Sequence, residues 1–439
     1  MKINLFWFRR DLRLDDNTGL DQALISGLPV LSVFIFDTNI TDELPADDPR
    51  INFIYETLNS INDDLQKKGS SVYILKGDPG KIWKELIKTN DINAVYVNKD
   101  YEPYATERDD KIESLLKKHG IGFNRTKDIV IFEANEILKA DNKPYWVFTP
   151  YKNRWLRMFK ENLSLITAEK ATYRSSFYPS DFVFPSIEEL GFSKSSIKVK
   201  PYDLSVIHDY HKYRDFPAAD RTSYLSPHLR FGTVSIRKLA ETAFQKNLTF
   251  LNELIWREFF MQILFHYPHV VTDNFKPVYD NIQWRNDEKE FAAWCRGETG
   301  YPIVDAGMRQ LNMTGYMHNR IRMITAGFLC KHLLTDWRWG EAYFAQKLLD
   351  YELSSNNGNW QWAAGTGCDA APYFRIFNPD AQQKKFDHVK KYIRKWIEDF
   401  ELPGYPAKIV AHDFARERAI TIYKSGIKRH LRDQKEITG

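Results

Sequence analysis

The segment 354–374, SSNNGNWQWAAGTGCDAAPYF, holds two tryptophans, Trp360 and Trp362, that are separated by one residue. Small and polar side chains surround the two rings, whereas a core helix or strand would normally flank them with Leu, Ile and Val. Positions two apart point about 200° apart on a helix and to opposite faces on a strand. The two rings are therefore predicted to serve different surfaces.

A second group of candidate residues lies in NELIWREFF, residues 252–260. At helical spacing Glu253 and Trp256 share one face, and Glu253 and Arg257, four residues apart, could form an ion pair. One interpretation is a structural ion pair beside a core tryptophan. The other is a carboxyl group and an aromatic ring side by side in the wall of a cavity.

Residues 314–323, TGYMHNRIRM, bring further ligand-binding groups together. Asn319, Arg322 and Met323 fall at helical spacing, so an amide, a guanidinium and a thioether could meet one ligand. A solvated helix start would show the same residues. Downstream, two acids, Asp350 and Glu352, precede the tryptophan pair.

Residues 221–235, RTSYLSPHLRFGTVS, place several hydroxyl groups at a predicted helix start. Free N–H groups at such a position can hold a phosphate or pyrophosphate. Ordinary helix capping is the alternative interpretation.

Charge is distributed unevenly along the chain of 439 residues, whose net charge is +4. Residues 1–128 carry 18 Lys and Arg against 22 Asp and Glu, and the remainder carries 44 against 36. Ten of the 12 tryptophans lie beyond residue 145. Basic charge combined with aromatic rings indicates that a nucleic acid, if it is the partner, binds the second part, although chance scatter of charge remains an alternative.

Other classes of protein are excluded by simple patterns. No apolar run reaches membrane-spanning length, and Arg9 and Arg10 interrupt the N-terminal apolar stretch, which predicts no secretory signal peptide. The three cysteines are widely spaced and match no metal-ligand pattern. We expect a cytoplasmic protein with reduced thiols, no bound metal and no membrane partner.

The elements that must position these groups follow from hydrophobic periodicity. Residues 1–128 alternate short apolar strands with helical segments, which predicts a doubly wound α/β domain with a parallel sheet and any ligand at the carboxyl ends of the strands. Residues 129–200, rich in Ser, Pro and Phe, are predicted to be an interdomain linker. Residues 201–439 show helical periodicity and predict an all-α domain.

Taken together and in order, these blocks closely resemble the cryptochrome/photolyase family. The resemblance covers nearly the whole chain, through FWFRRDLRLDDN, RDFPAADRTSYLSPHLRFG, NELIWREFF, TGYPIVDAGMRQL, MHNRIRM and NNGNWQWAAGTGCDAAPYFRIFNP. The blocks look most like class I cyclobutane pyrimidine dimer photolyases. The resemblance implies an N-terminal α/β antenna domain and a C-terminal helical domain that binds a U-shaped FAD.

The resemblance also implies which residues bind FAD. Arg322 should pair with Asp350, and Asn356 should face the reactive ring nitrogen of the flavin, where a neutral amide favours repair over signalling. The residues expected to contact the phosphates, the ribityl chain and the isoalloxazine edge are Tyr210, Thr222, Ser223, Leu225, Ser226, Asp350, Tyr351 and Glu352.

A pocket for damaged DNA is implied in the same way. The catalytic residues would be Glu253, Asn319, Met323 and Asn356, and the lesion-binding residues would be Glu253, Trp256, Arg257, Asn319, Met323 and Trp362. A (6-4) photolyase would carry histidine near Met323, and a DASH protein would carry tyrosine at Trp362, so neither branch is expected. Backbone phosphates would be contacted by Arg214, Arg320, Arg375, Lys384 and Lys385.

Three tryptophans match the electron-transfer chain of the family, namely Trp360, Trp337 and Trp284. Trp360 would then face the flavin as the first step of the chain, and Trp362 would stack on the flipped dimer. Small neighbours would leave room for both cofactor and substrate.

A second, light-harvesting chromophore is left open. Folate-binding photolyases carry Asn and Glu where this chain has Tyr104 and Ala105, and a folate-binding lysine is replaced near Val271. Folate is therefore not expected, and a deazaflavin, a second flavin or no antenna remain alternatives.

The implied activity is light-dependent repair of cyclobutane pyrimidine dimers in duplex DNA by a monomeric enzyme, through electron transfer from excited reduced FAD to a flipped-out dimer. The alternative is a cryptochrome-type blue-light photoreceptor without repair activity. A flavoprotein that shuttles electrons between proteins is a third interpretation, in which the pocket residues would be idle.

Overall fold

The computed structural model describes residues 1–163, 176–398 and 400–438. The chain divides into two compact units. We call the first the sheet unit, which comprises Met1–Glu136, Leu156–Tyr202 and Tyr224–Gln245, and the second the helical unit, which comprises Ile137–Trp155, Asp203–Ser223 and Lys246–Gly439.

A parallel five-stranded sheet forms the centre of the sheet unit. Its strands are β1 (Ile3–Phe8), β2 (Val30–Asp37), β3 (Val72–Gly77), β4 (Ile92–Asn98) and β5 (Gly122–Thr126), in the order β3-β2-β1-β4-β5. Strand β1 pairs with both β2 and β4, so the winding direction reverses beside it. The doubly wound α/β fold class predicted from the sequence is confirmed.

Strand β1 shows why both faces of the sheet must be covered. All six of its residues are buried. Phe6 and Phe8 point into one apolar cluster, with Leu20 and Leu58 among its members, and Leu5 and Trp7 point into another. The alternation follows from the period of two in a strand.

The helices of the first 136 residues are α1 (Thr18–Ile25), α2 (Thr38–Thr41), α3 (Pro49–Gln66), α4 (Pro79–Thr89) and α5 (Pro103–Lys118). Side chains of Asn17, Asp48 and Asp78 accept hydrogen bonds from the first-turn amides of α1, α3 and α4. Helices α3, α4 and α5 each have a proline in the first turn. Proline is tolerated there because the backbone N–H that it lacks would have no hydrogen-bond acceptor within the helix.

The regular elements that the structure describes after β5 are helices, in keeping with the predicted all-α second part. The α-helices are α6 (Phe148–Glu161), α7 (Tyr210–Tyr213), α8 (Leu225–Phe231), α9 (Ile236–Lys246), α10 (Leu248–His266), α11 (Glu288–Arg296), α12 (Pro302–Thr314), α13 (Asn319–Gly327), α14 (Trp337–Lys347), α15 (Leu353–Ala364), α16 (Pro379–Phe386), α17 (Lys391–Trp396) and α18 (His412–Thr438). A π-helix spans Phe328–Leu333, and short 3₁₀-helices span Ser205–Ile207, Pro217–Ala219, Pro268–Val271 and Pro277–Tyr279.

The unit boundaries differ from those predicted at residues 128 and 200. The predicted linker contains helix α6, and its segment 176–192 lies on the sheet: Val30 bridges Phe177, and the amide of Tyr178 donates to the carbonyl of Val30 at 2.8 Å. Residues 224–245, assigned from the sequence to the second domain, belong to the sheet unit.

Aromatic packing dominates the core of the helical unit. Trp294, Trp337 and Trp360 are each at most 2% exposed and belong to one cluster with Phe344. Within the described ranges of the chain, no helix combines the length and the hydropathy that crossing a bilayer requires.

Candidate functional site

Helices α13, α14 and α15 of the helical unit, with the turn that precedes α15, enclose a cavity of about 600 Å³, counting the part open to solvent. The lining residues are Asn319, Arg322, Met323, Ala326, Phe344, Leu348, Asp350, Tyr351, Glu352, Ser355, Asn356, Asn359, Trp360, Trp362 and Ala363. The structure therefore brings together residues from two separate segments singled out in the sequence, 314–323 and 350–363.

One wall of the cavity carries the ion pair expected from the sequence. A guanidinium nitrogen of Arg322 donates to Oδ2 of Asp350 at 2.8 Å, and Nε of Arg322 donates to the carbonyl of Met317 at 2.9 Å. The other oxygen of Asp350, Oδ1, is buried and accepts no hydrogen bond from a described residue. Because a buried acceptor needs a partner, this oxygen fits a ligand that presents an N–H donor to the cavity.

Asn356 is the second polar group of the cavity. Its Nδ2 donates to Oε1 of Glu341 at 2.9 Å and to the carbonyl of Glu341 at 3.1 Å. Burial raises the pKa of Glu341, and the hydrogen bond from Asn356 opposes that rise. Since the amide nitrogen is held by Glu341, the amide oxygen of Asn356 is the group left for a ligand donor.

Glu352, another carboxylate of the cavity lining, is paired with a guanidinium of α10. Glu352 is buried and forms an ion pair with Arg257 at 3.4 Å, and the hydroxyl of Ser355 donates to its Oε2 at 3.2 Å. The pair joins α10 to the start of α15. Arg257, expected among the lesion-binding residues, does not line the cavity itself but is held by Glu352, which does.

The two tryptophans of α15 lie in different surroundings, although both reach the cavity. Trp360 is 2% exposed and packs edge-on against Phe344, at a centroid distance of 4.9 Å, and against Trp294, at 6.1 Å. Trp362 is half-buried. The prediction that the two rings serve different surfaces is wrong, because both line the same cavity; what differs is their burial, since Trp360 lies in the aromatic core and Trp362 is half-exposed.

Glu253 and Trp256 on α10 do not line this cavity. Trp256 stacks face to face on Phe148, with ring centroids 3.7 Å apart and an interplanar angle of 7°. Glu253 pairs with Arg214 at 2.7 Å instead of with Arg257, four residues along the helix. Burial raises the pKa of Glu253, and Arg214 opposes that rise.

The tryptophans proposed for electron transfer belong to one aromatic cluster. Trp337 and Trp360 are members, and Trp284 packs against it. The indole nitrogen of Trp337 donates to Asn274 at 2.9 Å, and the ring of Trp284 meets that of Tyr423 at 5.8 Å. All three rings thus belong to or border one apolar cluster, and their role in electron transfer stays a prediction.

The residues expected at FAD phosphates divide between the units. Tyr210, Thr222 and Ser223 belong to the helical unit, while Leu225 and Ser226, at the start of α8, belong to the sheet unit. The ring of Tyr210 packs edge-on against Phe250 at 5.1 Å.

The basic residues expected at DNA phosphates also differ among themselves. Arg320 is bound to Asp215 at 2.6 Å and lies over the ring of Phe386. Arg375, Lys384 and Lys385 are exposed. The three exposed side chains are available to a polyanion, whereas Arg320 would have to break its ion pair with Asp215 before it could bind a phosphate.

Two residues that shape the site were missed by the sequence analysis. Glu341 orients Asn356, and Phe148 covers one face of Trp256. Each lies far along the chain from its partner, so no helical or strand spacing could have related the members of either pair.

Comparison with known proteins gives the chain its family. The family described as DNA photolyase matches residues 4–170, and the family described as the FAD binding domain of DNA photolyase matches residues 250–402. A deoxyribodipyrimidine photo-lyase of Halobacterium salinarum is 36% identical, over 96% of this chain and 99% of that relative.

Solved structures agree with this assignment. An archaeal photolyase from Sulfolobus tokodaii with two FAD molecules has a TM-score of 0.85 at 37% identity, covering 97% of this chain and 100% of that one. A cryptochrome from Synechocystis sp. has a TM-score of 0.78 at 25% identity, covering 96% and 99%. This chain belongs to the DNA photolyase family.

Proposed function

We propose that this photolyase repairs cyclobutane pyrimidine dimers in duplex DNA in a light-dependent reaction that uses FAD. The observation that carries the proposal is the composition of the cavity. Arg322, Asp350 and Asn356 offer polar contacts suited to a flavin, while Asn319, Met323 and Trp362 line the same cavity with amide, thioether and aromatic groups suited to a flipped base.

FAD fits the polar groups of the cavity. The unpaired Oδ1 of Asp350 would accept an N–H of the flavin ring, Arg322 would hold Asp350 in place, and the oxygen of Asn356 would accept a second ring N–H. When bound, FAD supplies the light-driven one-electron chemistry that opens the cyclobutane ring without net redox change. The protein contributes orientation and exclusion of water.

The dimer would enter the cavity after flipping out of the duplex. Flipping costs a few kcal/mol, and less for a damaged base that is already poorly stacked. Stacking on the half-exposed ring of Trp362 would contribute about 1–3 kcal/mol and offset part of this cost. Asn319 would hydrogen-bond the edge of the base, and Met323 would pack beside it. Trp256 is stacked by Phe148 at 3.7 Å and by Phe260 at 5.4 Å, so the part of its half-buried ring that stays exposed is the part proposed for the lesion.

Glu253 is proposed to meet the carbonyl or amide edge of the dimer. In the structure its carboxylate is neutralised by Arg214 at 2.7 Å. Burial raises the pKa of Glu253, and the charge of Arg214 opposes that rise. If DNA phosphates bind Arg214 and weaken this ion pair, the pKa of Glu253 rises further and the carboxyl group is protonated more readily. The exposed Arg375, Lys384 and Lys385 would bind backbone phosphates without reading sequence.

A repair assay separates the proposed enzyme from a photoreceptor. Duplexes with a cyclobutane dimer or a (6-4) product are incubated with the purified protein under blue light and in darkness. We expect the cyclobutane dimer to be restored only under light and the (6-4) product to stay unchanged, because Met323 occupies the place where (6-4) enzymes would need histidine. Flavin binding without repair in light would favour the cryptochrome alternative.

Substitution of Trp362 tests the lesion pocket. Trp362→Ala should weaken binding of dimer-containing DNA by about 5- to 100-fold, from the energy of one stacked base, while FAD stays bound. Trp362→Phe, which keeps a ring, is the matched control and should retain most of the affinity. Loss of FAD with unchanged affinity for the lesion would show that the pocket assignment is wrong.

A second chromophore is proposed to be a flavin or a deazaflavin, or to be absent, but not a folate. Tyr104 donates to Asp37 at 2.6 Å and Ala105 is buried, so neither offers the amide and carboxylate of the folate-binding enzymes. The relative with two FAD molecules supports the flavin alternative. Chromatography of the chromophores released from the purified protein distinguishes these cases.

A further inference from the structure

A short hairpin precedes the helix that carries Phe148. Leu138 and Pro144 form an antiparallel bridge, and the amide of Lys139 donates to the carbonyl of Lys143 at 3.0 Å. Asn142 adopts the left-handed conformation, with φ 60°, at the turn. Past the bridge, the carbonyl of Tyr145 accepts a hydrogen bond from Gln262 of α10 at 2.8 Å. The hairpin is therefore fixed to the helical unit at its base.

Trp146 projects from this hairpin and is 52% exposed. The contact recorded for its ring within the described chain is the ammonium of Lys139, 4.4 Å from the ring centroid. Its neighbour Val147 is 38% exposed. A large ring at the surface, with a cation beside it, is suited to stack on another flat ring.

The hairpin lies next to the proposed lesion wall. Phe148, two residues after Trp146, stacks on Trp256 with centroids 3.7 Å apart. Two residues of chain span at most about 7 Å, so the backbone of Trp146 is within that distance of the backbone of Phe148. The exposed ring is thereby placed near Trp256, which is proposed to contact the lesion.

The charge of this segment complements a polyanion. Residues 138–154 carry four basic side chains, Lys139, Lys143, Lys152 and Arg154, against one acid, Asp141. Lys143 and Asp141 are 3.6 Å apart on exposed side chains, a pairing that water and salt screen strongly. The surface therefore favours a partner that has both negative charge and exposed flat rings.

We propose that the hairpin 138–147 is a DNA-binding element in which Trp146 stacks on a base left without a stacking partner when the dimer flips out. Lys139 and Lys143 bind the phosphates on either side of that base. The inference rests on the proposed function and deepens it, because it adds a contact to the DNA that stays outside the cavity.

The test compares affinities for two duplexes of one sequence, with and without a cyclobutane dimer. Trp146→Ala should weaken binding of the dimer duplex about tenfold and leave binding of the undamaged duplex nearly unchanged, because a base is unstacked only in the first. Trp146→Phe should restore most of the affinity. Phe414→Ala, at a site that is 60% exposed in the same unit, is the matched control and should change neither affinity.

Abasic substitutions identify the base. When the base that stacks on Trp146 is removed, opposite or beside the dimer, Trp146→Ala should no longer weaken binding. Equal affinities of Trp146→Ala and the unchanged protein for the dimer duplex would overturn the inference while the proposed function stands. If the unchanged protein bound both duplexes equally, both the proposed function and this inference would be overturned. If Trp146→Ala changed the oligomeric state but not the DNA affinity, Trp146 would instead be assigned to a contact with a second copy of the chain.

Discussion

Gly340 of α14 stands where the ring of Trp360 leaves no room for a side chain. A Cβ at this position would lie 2.1 Å from Cη2 of Trp360 and 2.5 Å from Cδ2 of Leu329, distances at which atoms overlap. The glycine therefore sets how closely α14 approaches the ring proposed to lie next to the flavin. Packing of this kind fixes the position of Trp360 without any hydrogen bond.

We expect Gly340→Ala to displace Trp360 and to slow the light-driven reduction of oxidised FAD severalfold. Overpacking should also lower the free energy of unfolding by about 1–3 kcal/mol. Urea unfolding and the loss of oxidised-flavin absorbance under blue light measure the two effects. Gly327→Ala is the matched control, because its Cβ would meet its nearest neighbour at 3.8 Å, and it should be neutral or slightly stabilising. Equal photoreduction in both variants would contradict the role of Gly340.

The partners of the charged candidate residues were predicted unevenly. The ion pair of Arg322 with Asp350 is present as the resemblance implied. The pair of Glu253 with Arg257, predicted from helical spacing, is replaced by Glu253 with Arg214 and Arg257 with Glu352. Spacing of three or four residues identifies possible neighbours along one helix, but buried charges select partners from the whole fold.

At the scale of elements, a π-helix (Phe328–Leu333) ties two helices together through Lys331. The Nζ of Lys331 donates to the carbonyl of Ala364, the last residue of α15, at 2.5 Å. The hydroxyl of Tyr423 in α18 donates to the same carbonyl at 2.7 Å, and Nζ lies 3.8 Å from the centroid of the tyrosine ring. One carbonyl at the end of the tryptophan-bearing helix is thus held from two sides.

Lys331 should make stability depend on pH. Burial lowers its pKa from 10.5 to about 7. Between these values the unfolded chain holds a proton that the folded chain has released, so the contribution of this group to the free energy of unfolding rises with pH through that window. Below about pH 7 the cost of the buried charge is present in full.

Lys331→Met should remove this pH dependence while keeping an apolar chain of similar length. Urea unfolding at several pH values between 7 and 10.5 measures the difference between the variant and the unchanged protein. We expect that difference to favour the variant at the lower end and to shrink as the pH rises. Lys118→Met, on the exposed end of α5, is the control and should show no such trend. A constant difference for Lys331→Met would mean that the lysine is not the titrating group.

On the scale of the whole molecule, the sheet unit is assembled from three separate stretches of chain. One apolar cluster on the sheet includes Phe6, Phe34 and Leu58 from the first stretch, together with later residues, namely Phe177, Ile187, Leu190, Phe192 and Phe231. The alternation of strands and helices could be predicted for residues 1–128 because hydrophobic residues recur at the regular spacing of a strand or a helix within each element. The covering segment has no period, so its Ser, Pro and Phe indicated a linker, and only the fold reveals which surface its rings cover.

A fragment of residues 1–136 should therefore fail to reach the native packing of the sheet unit. It keeps all five strands but loses the side chains of 177–231 that bury one face of the sheet, and each fully buried Phe or Ile contributes roughly 1.5–3 kcal/mol. We expect helical far-ultraviolet circular dichroism, a weak near-ultraviolet signal from the aromatic rings of the uncovered face, and binding of a hydrophobic dye. In the full chain, the double substitution Phe177→Ala with Phe192→Ala should lower stability in the same direction, whereas Val183→Ala, at a side chain that is 90% exposed in the same segment, should not. A fragment that unfolds cooperatively with strong near-ultraviolet signal would show that the first stretch is self-sufficient and that the later segment is indeed a linker.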